Sequence, residues 1–112
     1  MSAVATAVVH SEPPLVYLAE DLDTLHRLLA VEVVARTSAR LLNGRAAEVR
    51  DALLAERWGD AVVAWIHETG TGIDVYPSSS VYSGDDLPED LIGAQLQFAA
   101  LFREAEIGRA HV

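Results

Sequence analysis

The sequence predicts an α+β domain: a helical hairpin, then a β-hairpin forming a small antiparallel sheet, then a C-terminal amphipathic helix. Three observations predict it. Between residues 21 and 58, apolar residues recur at three- and four-residue steps, as one face of a helix requires. After residue 60 the pattern changes to a continuous apolar run followed by an alternating one. The helical step returns after an acidic, proline-bearing start at Asp86-Leu87-Pro88-Glu89.

Residues 1–14 show no periodicity and end in Pro13-Pro14, so they are expected to form a mobile N-terminal tail. Leu15-Val16-Tyr17-Leu18 fits either a short strand or the lead-in to a helix. Asp21 or Asp23 can cap the first helix, with Leu22, Leu25, Leu28, Leu29 and Val33 as its inner stripe. Asn43-Gly44 is expected to stop it, with glycine taking the left-handed cap. A second helix is expected from Arg45 to Trp58, ended by Gly59 and packed antiparallel to the first.

The run Ala61-Val62-Val63-Ala64-Trp65-Ile66 reads as a strand buried on both faces, with a helix continuation as the alternative. Thr69-Gly70-Thr71-Gly72 then reads as the loop of a hairpin, with Ile73-Asp74-Val75-Tyr76 as its second strand. Pro77 closes that strand or marks it as an edge, Ser78-Ser79-Ser80 reads as loop, and Val81-Tyr82 can add a third short strand. The last helix is expected from Leu87 to Glu106 on a stripe of Leu91, Ala94, Gln95, Phe98, Leu101 and Phe102. These readings give one α+β domain over residues 15–108 and a C-terminal tail at 109–112.

Composition narrows the function classes. The 112 residues include no cysteine, which removes disulfides, thiolate nucleophiles and cysteine-ligated metals. Lysine is absent too, and all eight basic residues are arginine, so Schiff-base and P-loop lysines are excluded. No basic residue precedes the apolar start and no apolar stretch reaches membrane-spanning length, so a cytoplasmic location is expected. The net charge of −9 is uneven. Residues 27–57 are mildly basic, and both flanks are acidic. A nucleic-acid partner is therefore disfavoured, and a protein partner or a second copy of the chain is favoured.

Candidate sites are sparse. Asp85, Asp86, Glu89 and Asp90 form an acidic cluster, but its spacing lacks the alternate ligands and central glycine of a calcium loop. Helix capping is the simpler role. His67-Glu68 and the Asp23/His26 pair are each too incomplete for acid–base or metal chemistry. Gly70-Thr71-Gly72 does not lead into a helix, as a phosphate loop would. Ser78, Ser79 and Ser80 lack a nucleophile-elbow context. The sequence thus predicts no catalytic residue, metal or cofactor.

The expected function is a small, acidic, non-catalytic accessory protein that binds and regulates a protein partner, with homodimerisation. Its expected surface joins Arg36, Arg40 and Arg50 with Asp85, Asp86, Glu89 and Asp90. The alternative is a small-molecule binder or small enzyme with a pocket between helices and sheet, lined by Trp58, Trp65, His67 and Tyr76. A winged-helix-like DNA binder is a third reading, weakened by acids in the expected wing at Glu68 and Asp74.

Overall fold

A computed structural model of the chain describes residues 2–88 and 98–105. Residues 2–81 form one unit, and the chain from Tyr82 onward belongs to a second. The class is α+β, as the sequence predicts, but the elements are distributed differently.

The sheet has three antiparallel strands: β1 (Ser2–Val9), β2 (Leu15–Ala19) and β3 (Ile73–Val81), in the order β2-β1-β3. Residues 2–9, expected in a tail, thus form the central strand. Strand β1 is apolar on both faces, so the alternation that marks a half-exposed strand is missing from its sequence. Ala5, Ala7 and Val9 point into the core, and Val4, Thr6 and Val8 point the other way. Leu15-Leu18 resolves as strand, paired with β1 from Ala5↔Ala19 to Val9↔Leu15.

Strand β3 pairs with the other side of β1 from Val9↔Ile73 to Ser2↔Val81. The three serines expected in a loop lie within it. Its register shifts where Thr6↔Tyr76 gives way to Val4↔Ser79, so Pro77 and Ser78 together oppose Ala5. Proline lacks an N–H to donate, and a bulge on an edge strand accommodates that loss.

The helices cross from β2 to β3. In α1 (Leu22–Leu29), the Asp21 carboxylate accepts the Thr24 N–H at 2.7 Å. Hydrogen bonds from the Thr24 side chain and backbone hold the Asp21 carboxyl below its ordinary pKa. The helix continues as a π-turn over Ala30–Val34, where the Ala35 N–H reaches the Ala30 carbonyl at 2.8 Å. The wider turn lets Val34 follow Leu29 by five residues and still face the core, as Leu29 follows Leu25 by four. The expected helix to Asn43 therefore ends early. A 3₁₀ segment at Ala39–Arg45 follows, broken at Asn43 (φ 47, ψ −127).

Helix α2 (Ala46–Leu54) buries Val49 and Ala52. It closes with Glu56 at φ 57: the Glu56 N–H donates to the Leu53 carbonyl at 3.1 Å and the Arg57 N–H to Ala52 at 2.8 Å. That is a Schellman closure with glutamate in glycine's usual place.

Residues Ala61–Ile66, expected as the first strand of a hairpin, lie in α3 (Trp58–Thr69). Ala61, Val62, Ala64 and Trp65 are buried while Val63 and His67 are exposed, so a helical face decides the outcome. Gly70 ends α3 in the left-handed conformation, its N–H donating to Ile66 at 2.9 Å. The core forms between this helical layer and one face of the sheet, from Ala5, Ala7, Val9, Leu25, Leu29, Val34, Leu42, Val49 and Trp65 among others.

In the second unit, Gly84–Asp86 form a 3₁₀ turn in which the Ser83 N–H donates to the Asp86 carboxylate at 2.8 Å. Residues 98–105 are helical, here α4, and the rings of Phe98 and Phe102 stack with centroids 6.4 Å apart. Leu87 and Pro88, expected to begin the last helix, are not helical. Its expected residues 89–97 and 106, and the tail at 109–112, lie outside the described residues. No helix among the described residues is long and apolar enough to cross a membrane.

Candidate functional site

The residues expected to line a pocket do not meet. Trp65 is buried, and its indole N–H donates to the Thr37 hydroxyl at 2.8 Å. Thr37 in turn donates to the Val33 carbonyl at 2.8 Å, which ties α3 to the end of the π-turn. Trp58 opens α3 with the Arg27 guanidinium 6.0 Å from its ring centroid. His67 is exposed on α3, and Tyr76 stands on the sheet face away from the helices.

A cavity of about 460 Å³ does lie beside Trp65, lined also by Arg36, Thr37, Ser38, Leu41 and Glu68. Its polar groups have partners, some within the lining and some beside it. Glu68 accepts from Asn43 Nδ2 at 2.9 Å and pairs with Arg45 at 3.4 Å. Thr69 donates to the Trp65 carbonyl and accepts from the Thr71 N–H. A second hollow of about 250 Å³ lies against α2, among Val34, Leu42, Val49, Leu53 and Leu54.

Arg36 pairs with Glu32 at 3.0 Å, Arg50 with Asp51 at 3.3 Å and Arg57 with Asp60 at 3.1 Å, each within a turn of its own chain segment. Arg40 is exposed on the 3₁₀ segment. Asp85 and Asp86 sit in the turn of the second unit, and Glu89 and Asp90 lie outside the described residues. Among the described residues no three acidic or histidine side chains converge as metal ligands would. The hairpin needed for a DNA-binding wing does not form, because α3 takes its first strand.

The feature missed from the sequence is the open face of the sheet. Directly opposed residues share a face, so the register builds it rank by rank. Leu18, Thr6 and Tyr76 form one rank; Val16, Val8 and Asp74 form the next; Val4 opposes Ser79, and Ser2 opposes Val81. Val16 and Leu18 are each 57% exposed, Tyr76 52% and Val81 40%. Asp74 bounds this face at one end, where its carboxylate meets His10 Nε2 at 2.7 Å. The sequence signal was faint: three strands, one of them more than fifty residues from the other two, each contribute only two to four residues to it.

Comparison of the chain with protein-family models, with curated proteins and with solved structures finds no match.

Proposed function

We propose that this chain is a small, acidic, non-catalytic interaction protein that binds a protein partner, a second copy of itself included, through the open face of its sheet. One observation carries the reading. Val16, Leu18, Tyr76 and Val81 are exposed together on one face, with Val4 and Val8 half-buried between them. Single exposed apolar residues are ordinary on a folded surface, but a contiguous group rimmed by polar residues marks an interaction site. Asp74 and the serines of β3 supply such a rim. The acidic net charge adds a preference for partners with a basic border.

The test compares Leu18→Glu, on the open face, with Leu54→Glu, on an exposed position of α2. Self-association by sedimentation velocity and quantitative capture of partners from the host are both measured. The reading expects every association seen with the native chain to be lost in Leu18→Glu and kept in Leu54→Glu. Equal behaviour of the two variants, or no association at all, overturns it.

A further inference from the structure

We infer that Asn43-Gly44 is a self-modification site. The Gly44 nitrogen closes on the Asn43 side chain, ammonia leaves, and the carboxylate that water then generates unlatches the 3₁₀ segment from α3.

Asn43 is the single asparagine of the chain, and glycine follows it. Glycine carries no side chain to shield its backbone nitrogen. Both residues are exposed, so water reaches them. Asparagine before glycine is common in turns and by itself carries nothing. The backbone sets this pair apart. Asn43 holds φ 47 and ψ −127, outside the left-handed helical well where a non-glycine residue of positive φ ordinarily rests.

That ψ has a chemical consequence. In an L-residue Cβ lies roughly 120° from N about the Cα–C bond. A ψ of −127 therefore brings the Gly44 nitrogen almost into eclipse with the Asn43 Cβ. Cβ, Cα, C and N are then nearly coplanar, as four members of a flat five-membered imide ring must be. Cγ is the fifth member, and rotation about Cα–Cβ alone carries it to the nitrogen. At the ψ of a strand or a helix the nitrogen is turned well away from Cβ, and no such rotation closes the ring.

The step balances without an oxidant or a cofactor. The Gly44 nitrogen loses its proton to solvent and bonds to Cγ. The Cγ–Nδ2 bond breaks, and that nitrogen leaves as ammonia after taking a proton from water. A second water opens the ring. Breaking the new N–Cγ bond leaves aspartate at position 43. Breaking the original C–N bond leaves isoaspartate, with the chain running through Cβ and Cγ.

The consequence for the fold comes from the neighbour. Asn43 Nδ2 donates to Glu68 Oε1 at 2.9 Å, and this bond joins the 3₁₀ segment to α3. A carboxylate has no hydrogen to donate, so after the reaction oxygen faces oxygen and two negative charges oppose. Arg45 is the nearby cation, and it is already shared between Glu68 at 3.4 Å and Glu48 at 3.6 Å.

The test incubates the full chain at neutral pH beside a synthetic peptide of residues 38–48 and the variant Asn43→Gln. Circular dichroism establishes that the variant is folded. Isoelectric focusing reads the gain of one negative charge, and mass spectrometry of digested fragments places it and separates aspartate from isoaspartate. The folded chain already holds the reactive ψ, a conformation the free peptide rarely visits, so it is expected to react roughly 10-fold faster than the peptide. A mixture of the two isomers is the expected product. Asn43→Gln is expected to lose the charge gain, because its longer side chain has to close a six-membered ring. The reacted chain is expected to melt lower than the fresh one, as Asn43→Asp does from the start.

A chain that reacts no faster than its own peptide overturns the role of the backbone conformation and the inference with it. Aspartate without isoaspartate overturns attack by the Gly44 nitrogen. A charge gain that persists in Asn43→Gln puts the reaction elsewhere and overturns the site. A reacted chain that melts as high as the fresh one overturns the unlatching.

Discussion

Three backbone positions give opposite predictions for changes between glycine and a side-chain-bearing residue. Glu56 sits at φ 57 where α2 closes, and Gly70 sits at φ 71 where α3 closes. An L-residue in the left-handed region costs roughly 1–2 kcal/mol, and glycine avoids that cost. Glycine in turn loses roughly 0.5–1 kcal/mol more backbone entropy on folding. Glu56→Gly is therefore expected to stabilise by about 0.5–1 kcal/mol, and Gly70→Ala to destabilise by about the same. Gly44 differs: its φ is not left-handed, and a Cβ there would meet nothing within 4 Å. The strain falls on Asn43 instead, at φ 47. Gly44→Ala is expected to stabilise by roughly 0.4–1 kcal/mol through the unfolded chain. For a domain of this size 1 kcal/mol moves the midpoint by about 4–8 °C. Thermal unfolding followed by circular dichroism thus expects Glu56→Gly and Gly44→Ala to melt higher than the native chain and Gly70→Ala lower. A lower midpoint for Glu56→Gly, or an unchanged one for Gly70→Ala, refutes the assignment of these caps.

Two further predictions concern the frame that holds the sheet. Thr37→Val leaves the buried Trp65 N–H without its partner and is expected to cost about 1–3 kcal/mol, read as a reduced urea midpoint; an unchanged midpoint contradicts the tie between α3 and the π-turn. Asp21 has a folded-state pKa below its ordinary value, so its cap contributes stability that is present above the unfolded value near 3.8 and lost as pH falls through the lower folded value. Asp21→Asn is expected to remove that part of the acid limb of the stability–pH profile, while an identical limb in the variant would contradict it.

The legible parts of the fold were those whose stabilising contacts are local. The Asp21 cap and the Leu25–Leu29 step lie within a few residues, and they read correctly as the start of α1. Ala61–Ile66 was misread because a fully apolar run carries no period. Asp60 in the first turn and Gly70 after Thr69 were the available helix signals, and the hairpin reading assigned Gly70 to a turn. Strand β1 was illegible for a different reason: it is apolar on both faces and so carries no alternation, and one of its two partners lies far off at residues 73–81. The open face inherits that difficulty. Leu18, Thr6 and Tyr76 become neighbours only through the register, so no window of sequence contains the site. The residues expected to line one pocket are separated, since a period of 3.6 rather than 2 turns Trp65 into the core and His67 toward solvent.

The central claim is that the sheet face away from the helices is an interaction surface, which a second copy of the chain can cover. Val16→Cys places the chain's one thiol on that face, and Leu54→Cys places it on α2, at starting exposures of 57% and 78%. The rate of maleimide labelling, measured against protein concentration, tests the claim directly. The account predicts that labelling at position 16 slows as the protein is concentrated while labelling at position 54 does not. Equal rates at both positions across the whole range would contradict it.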